Sequence, residues 1–562
     1  MKIHRILALV LVLALAVTLC AACSGTTETT EPVTSTTTAA TTGTQETSGQ
    51  TSGQTTATQE TTAQSETTPA ELPELELTVN AWSINTFDPE ADAFAKIIKD
   101  KFKLIIKPVI LEGDGLKLAA ASKSLPDIFG TGPLWDVTTF NSWVNQGIVR
   151  DIPEDMLHKY PTISQHMTNN RSAVAARELY GKYWYLVVPN CLKDDVYKVK
   201  WSGIYYRKDW MANVGITEVP STFDELYTML KAFVENDPNQ NGKDDTYGIT
   251  LNGGMWFFSE WFTNWGVDTE GWQIEDGQWI PGYLSRKNIE PLKLIQKMFH
   301  EGLIDTEFTT NNPTQAMQKF SGDTFGVILR NADTYWMWNV IKNQFGGAHK
   351  EIQDPFTVVG LLPPMSKDAS SEPAIAEAID HDGVQFRAGL EDEKLDRYLA
   401  LHDWLMTDEA RYYKLGFEGE HYSKDSDGKI VTFNDPNTGR PYAIWQMYPA
   451  TGLLDFVTWG LDTDADLNWP SLDYREDLKM VAKEFRDANN QYPYQVNIEP
   501  MFISTPAKDT FSFDAMGEFA LMVMGDESID TAFETFITKA MDAGARQAID
   551  ELNAEANRLG ID

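Results

Sequence analysis

Six residues between Asp237 and Asp245 have the chemistry of a cation loop. Asp237, Asn239, Asn241, Gly242, Lys243 and Asp245 fall at positions 1, 3, 5, 6, 7 and 9 of a calcium loop. In such a loop alternating side-chain oxygens, with a glycine at the sharp turn, gather the six to eight oxygens that Ca2+ takes. Lys243 would offer only its backbone carbonyl. Position 12 is Gly248 and not a bidentate Glu, so the loop is no regulatory EF-hand. The same residues also make a metal-free Asx and Asn-Gly turn, and both readings stand at this stage. A second acidic run, Asp462-Thr463-Asp464-Ala465-Asp466, lacks the turn glycine and reads as a solvated loop.

A second kind of chemistry lies in the aromatic residues. Sugars present flat C–H faces that stack on aromatic rings, and hydroxyl edges that bond to acids, amides and Arg. Segments with both features are Trp256-Phe257-Phe258-Ser259-Glu260-Trp261 with Trp265, and Asp333-Thr334-Tyr335-Trp336-Met337-Trp338. Adjacent aromatics cannot all point into one core, so each cluster nominates a contact. Trp445 and Trp459 are further candidates. The sequence contains no Gly-x-Ser-x-Gly, His-Glu-x-x-His or Walker A motif, and its eight histidines are scattered. No catalytic residue is therefore nominated, although paired carboxylates for glycoside hydrolysis are available in plenty.

These residues must be positioned by a folded scaffold, and from Leu75 the texture is that of an α/β unit. Leu75–Trp82 alternates as a strand, with Leu75, Leu77 and Val79 on one face. A helical stretch from Pro89 carries Phe94, Ile97, Ile98 and Phe102. Leu104–Ile106 and Val109–Leu111 read as a second strand around Pro108. A small-residue helix over 113–124 and a short strand over 125–130 follow. This order predicts a parallel sheet with right-handed crossovers. Ligands sit beyond the carboxyl ends of such strands, which nominates Trp82, Asp127 and Trp135. Further on, Thr222 and Glu225 have capping-box spacing before a helix whose apolar stripe is Phe223, Leu226, Leu230, Phe233 and Val234.

The first seventy residues are different. Met1-Lys2-Ile3-His4-Arg5 precedes an apolar run from Ile6 to Leu19, which suits a secretory leader and is short for a permanent span. Cys20-Ala21-Ala22-Cys23 resembles a bacterial lipobox, implying that Cys23 is lipidated and becomes the mature N-terminus. The alternative, a Cys-x-x-C redox pair, has no folded surroundings. Ser24 to Thr68 contains twenty threonines and no Lys, Arg or aromatic residue. Such a segment cannot offset its ordering entropy and reads as a disordered tether.

The whole chain has 562 residues and a formal net charge of −36, with 42% hydrophobic residues and 17 tryptophans. Phosphate binding needs Lys and Arg to displace counterions, so this balance argues against nucleic acid. It equally disfavours basic docking on anionic lipid. Three cysteines make no disulfide framework.

Several segments in a fixed order closely resemble bacterial extracellular solute-binding proteins, family 1, the lipoprotein branch that serves ABC importers of oligosaccharides. They are Gly181–Pro189, Tyr206-Arg207-Lys208-Asp209-Trp210, Pro220–Leu226, Asp237–Thr250, Phe417–Tyr422 with the Asp427-Gly428-Lys429 hairpin, and the final helices. The resemblance runs from about 75 to 562. It implies an α/β periplasmic-binding-protein-like (type II) fold, with two α/β lobes around a hinge and a ligand cleft. The expected organisation is a leader at 1–22, a lipidated tether at 23–73, a first lobe from 74–195 and 365–416, and a second from 196–364 and 417–562. Crossings are expected near Pro189–Lys198, near Pro363–Glu372 and before Phe417.

The implied function is capture of an oligosaccharide at the extracellular face, through lobe closure, for delivery to an ABC permease. The protein would be a monomer held to the membrane through Cys23. A glycoside hydrolase and a carbohydrate-binding adhesin are the alternatives. The ligand-binding candidates are Trp82, Asp127, Trp135, Trp256, Trp261, Asp333, Trp336, Trp445 and Trp459. Arg207 is expected to stabilise its lobe, and Cys191 to be a buried small apolar residue and not a nucleophile. Relatives with the Asp237–Asp245 loop bind structural calcium, often with an acid where this chain has Thr246. A neutral or partly neutral oligosaccharide is favoured, because an acidic receptor repels polyanions unless Arg lines its cleft.

Overall fold

The computed structural model describes residues 72–111, 113–131, 136–193, 196–470 and 477–561. Two sheets organise them. The first has the strand order Leu104–Pro108, Leu75–Asn80, Ile128–Thr131, Asp382–Phe386, Leu186–Val188. Its first three strands run parallel, and Asp382–Phe386 is antiparallel to both of its neighbours. The second sheet has the order Val359–Leu361, Ser202–Arg207, Phe325–Asn331, Tyr247–Thr250. There the last two strands are parallel and the other pairs antiparallel.

Local signals explain how the elements start. Leu77 and Val79 are fully buried on one face of the opening strand. The next helix begins at Ala93, later than Pro89, because the Asp92 carboxylate accepts hydrogen bonds from the Phe94 and Ala95 N–H groups as its cap. Thr222 and Glu225 form the reciprocal capping box, and Phe223, Leu226, Leu230 and Phe233 of that helix are buried.

Each sheet has its own core. The first core runs through Leu77, Ile106, Val188, Val384, Leu399 and Phe456. The second joins Phe233, Ile249, Leu329, Phe519, Phe533 and Ile549. This corrects the expected boundary at Phe417. Leu453, Leu454, Phe456, Val496 and Phe502 are packed in the first core, not the second. The reason is a contact far apart in sequence: the Ala450 N–H donates to the second oxygen of Asp92 and Phe456 packs edge-on to Trp82. The chain then passes to the helix Leu478–Asn489, whose Leu478 and Ala482 pack with Tyr205 and Ile328 of the second sheet and with Phe345, before Val496 and Phe502 return to the first core.

The crossings lie side by side. Val199 bridges Glu377, and Ile375–Ala376 pairs in parallel with Pro493–Tyr494. The return crossing thus falls a few residues beyond Pro363–Glu372. Arg207 is buried between the Trp210 and Phe345 rings and bonded to Asp209 and Asp323, so it ties strand, helix and loop of the second lobe together.

Candidate functional site

The strand ends determine where the two lobes can share a ligand. In the first sheet, the chain leaves Leu75–Asn80, Ile128–Thr131 and Leu186–Val188 at one edge, where the antiparallel Asp382–Phe386 begins. The segment after Val188 crosses the hinge and enters the second sheet at Ser202. Ser202 pairs with Asn331, at the carboxyl end of Phe325–Asn331, and beside it Tyr247–Thr250 also ends. The carboxyl edges of both sheets therefore flank the hinge, the position where α/β sheets hold ligands.

On the first-lobe edge, Trp82 and Trp459 stack with ring centroids 5.7 Å apart at 17°. Both stay well exposed, at 42% and 44%. Trp459 is held from two sides: its backbone N–H donates to the Pro189 carbonyl, and its indole N–H donates to Asp382 Oδ2 at 2.8 Å. His381 Nδ1 stands 3.1 Å from that same carboxylate oxygen. Gly130 makes room, since a side chain there would run into both Trp82 and Phe456. The result is an open indole platform suited to the flat face of a sugar, held in place by the buried Asp382 carboxylate.

On the second-lobe edge, Ser202 Oγ donates to Glu260 Oε1 at 2.8 Å. Burial pushes the Glu260 carboxyl up to about 6, with Lys200 opposing the shift. Lys200 Nζ is ion-paired to Glu270 at 3.2 Å. A small cavity of about 70 Å³ opens here between Glu260, Trp261, Ile375 and Phe485, against the hinge. The Arg330 guanidinium carbon lies over Trp336, 3.9 Å from the ring centre, and Arg330 Nη1 donates to Asn252 Oδ1 at 3.1 Å. Asp333 caps the helix Thr334–Met337 by accepting from the Trp336 N–H. Burial, and then the neighbouring Asp464, push the Asp333 carboxyl up to about 7. Asp464 in turn accepts from the Thr334 N–H at 2.7 Å.

Of the nominated residues, the structure brings Trp82 and Trp459 together at the first edge and places Trp336 on the second. Trp256 is exposed beside Phe257 near the second edge, whereas Trp261 is a core residue, 7% exposed and packed on Phe223, though it reaches the cavity wall. Trp445 is 60% exposed on the short helix Ile444–Met447 of the first lobe. Trp135 and Cys23 lie outside the described residues.

Two acids are corrected. Asp127 is 5% exposed and accepts from the Thr78 N–H, the Thr78 hydroxyl and both Arg387 Nε and Nη2. Burial opposes its ionisation, yet these donors hold its carboxyl below the usual range. Its role is to join strands of the first sheet, with no oxygen turned to a ligand. Asp333 is buried and spent on its helix cap.

The run 462–466 is also no solvated loop. Leu461–Ala465 is helical, Asp462 is buried on Arg411 at 2.6 Å, and Asp464 ties this helix, just after Trp459, to Thr334 of the second lobe. Sequence reasoning did not select Glu260, Arg330, Asp382 or Asp464. Glu260 alone had a signal, its place inside an aromatic cluster. Cys191 is partly buried, and burial pushes its thiol well up, as expected of an inert residue.

The Asp237–Asp245 loop is a turn closed by its own side-chain oxygens. Asp237 accepts from the Asn241 and Gly242 N–H groups, and Asn241 Oδ1 accepts from Lys243 N–H. Gly242 has a φ of 75°, the left-handed turn that favours glycine. Two carboxylates, two side-chain amides and a backbone carbonyl are the hard oxygen donors that suit Ca2+. Among the described residues no cluster of three or more His, Cys, Asp and Glu could hold a metal, so amide oxygens would have to complete the set. Thr246 is not a donor to the loop, because its hydroxyl donates to the Phe233 carbonyl at the end of the preceding helix.

Comparison with known proteins places this geometry. The polygalacturonan/rhamnogalacturonan-binding protein YtcQ of Bacillus subtilis (strain 168) is 24% identical over 341 residues, 59% of this chain and 63% of the relative. The match thus spans less than two thirds of that relative's length. The substrate-binding protein FusA of S. pneumoniae in complex with kestose superposes with a TM-score of 0.60 at 17% identity, covering 86% of this chain and 99% of that one. An EF-hand mutant of FusA, bound to fructo-nystose, gives 0.59 at 16% identity over the same shares. An extracellular solute-binding protein from Bifidobacterium longum subsp. infantis gives 0.63 at 16% identity, covering 88% and 99%. The fold is that of the type II solute-binding proteins, as the sequence led one to expect. Residues 88–358 also match the model of the bacterial extracellular solute-binding proteins, the family that the sequence resembles.

Proposed function

We propose that this protein captures an oligosaccharide between its two lobes and hands it to the membrane permease of an ABC importer. The observation that carries this reading is the pairing of edges: an exposed Trp82–Trp459 stack with Asp382 on one lobe, and Arg330–Trp336 with Glu260 on the other, across a common hinge. The names of the relatives agree in kind, since YtcQ is named for pectic polymers and FusA is bound to fructooligosaccharides. Lobes that open and close about the hinge are held closed by a ligand touching both, through its greater affinity for the closed form. In this reading Cys23 carries a lipid, the Thr-rich segment spaces the globule from the extracellular face of the membrane, and Ca2+ braces the loop between Phe223–Glu235 and Tyr247–Thr250.

Calorimetric titration against oligosaccharides of several backbone classes, with monosaccharide controls and X-ray scattering at saturation, tests the proposal. The expected result is binding of one class, compaction on binding and no release of smaller sugars. Release of smaller sugars would instead establish a hydrolase. Binding without compaction would refute closure.

A further inference from the structure

Arg330 carries an inference about the ligand's charge that rests on the capture reading above. Arginines in this acidic chain generally find carboxylates. Arg207 has Asp209 and Asp323, Arg387 has Asp127, Arg397 has Glu393, and Arg411 has Asp408 and Asp462. Arg440 and Arg546 are exposed to solvent. Arg330 is half-buried, yet no carboxylate of the described residues lies within ion-pair distance of it. Of its five N–H groups one is donated to a neutral amide oxygen, that of Asn252. Its Nε is shielded from solvent with no acceptor. Burial lowers its pKa, the mark of a cation whose charge is not compensated.

Its mounting is equally specific. Trp336 holds the guanidinium from one side, with its carbon 3.9 Å from the ring centre, and the residue opposite it in the neighbouring strand is Gly203, whose face is filled by the apolar Leu361 and Ala332 and supplies no acceptor. It stands at the carboxyl edge of the second sheet, where the ligand is expected. The nearest acid in sequence, Asp333, is spent on its helix cap, and its carboxyl is pushed up to about 7 by burial and Asp464, so it neutralises Arg330 poorly. A planar fork of donors that has one amide partner and no carboxylate matches an acid held through two parallel hydrogen bonds.

We propose that the ligand is an acidic oligosaccharide, and that Arg330 binds a uronate carboxylate within it. The net charge of −36 does not forbid this, because fields from charges more than about 8 Å away are largely screened at physiological salt, while a contact pair is not. This proposal departs from the neutral or partly neutral oligosaccharide that the overall charge favours.

The test uses the full chain and trimers of galacturonate, glucuronate and mannuronate, each beside its carboxyl-reduced neutral counterpart of the same linkage. One acidic trimer should bind at least tenfold more tightly than its reduced form, by calorimetry at 0.05 and 0.3 M salt, with the gap narrowing at the higher salt. Arg330→Gln should weaken the acidic trimer by about 10- to 100-fold and the reduced form far less. Arg330→Lys should recover part of the loss. Equal binding of acidic and reduced trimers by the unaltered protein would overturn the inference and leave the capture reading intact. So would an equal loss for both trimers in Arg330→Gln, since that would make Arg330 a packing residue. If no oligosaccharide of either charge binds, the capture reading itself fails.

Discussion

Gly130→Ala probes whether the Trp82–Trp459 platform works as a unit. A Cβ at this position would stand 2.4 Å from Phe456 Cε2 and 2.4 Å from Trp82 Cζ3. Carbon atoms rest about 3.5–4.0 Å apart, so one ring must move by about 1 Å or more. Phe456 is fully buried in the first core, whereas Trp82 is 42% exposed, and so Trp82 is the ring that yields. Overpacking costs about 1–3 kcal/mol, and the low end applies because Trp82 can swing toward water. The melting temperature should drop by a few degrees at most.

Displacing Trp82 opens its stack on Trp459, a contact worth about 0.5–1.5 kcal/mol. If the ligand lies on that pair, affinity should fall about two- to tenfold. Titration calorimetry with the best-binding oligosaccharide measures this, and Gly347→Ala, where an added Cβ meets nothing within 4 Å, is the control. An unchanged Kd for Gly130→Ala, together with its small loss of stability, would refute the argument that the two indoles bind sugar as a pair.

Asp127→Ala should lower the melting temperature while leaving ligand affinity unchanged; the cost is about 2–3 kcal/mol because Arg387 and the Thr78 N–H lose their acceptor. A loss of affinity with no loss of stability would restore Asp127 to the site. Asp333 holds a proton in the folded state up to about pH 7, and an ordinary aspartate in the unfolded chain releases its proton near 4. Its contribution to stability is therefore complete below about pH 4 and is lost as pH rises through about 7. Asp333→Asn, which keeps the cap, should remove that decline between pH 5 and 8, and melting curves with an unchanged pH slope would contradict it. If calcium occupies the Asp237–Asp245 loop, EDTA should lower the melting temperature and added Ca2+ should restore it, by about 2.7 kcal/mol at a hundredfold excess over Kd. No change in metal-free buffer would leave the loop as a turn.

What could be read from the sequence was what local physics decides. The alternation of Leu75, Leu77 and Val79, the Thr222–Glu225 box and the stripe from Phe223 to Phe233 each specify an element within a dozen residues. Partner choice over long distances was not legible. Nothing near Asp127 distinguishes an acid awaiting a sugar from one awaiting Arg387, 260 residues away. The same holds for Phe456, whose apolar side chain fits either core until Trp82 and Asp92 are known to be its neighbours. Trp82 and Trp459 were chosen as separate rings, and their stacking depends on Gly130 and Asp382, which no local pattern points to. Arg330 was missed because its significance is the lack of a carboxylate, a property of its surroundings.

The interleaved crossings have a consequence for how the molecule is made. Leu77 and Phe502 belong to one core, and the second core needs both Ile204 and Ile549. Neither lobe can finish burying its apolar side chains until segments several hundred residues further along have been synthesised, so the nascent chain must wait without a stable half. Contacts this distant in sequence also slow the search for the native pairing. A gene fragment encoding either lobe alone should yield aggregation-prone protein, and a polypeptide that folds so late stays threadable for most of its synthesis.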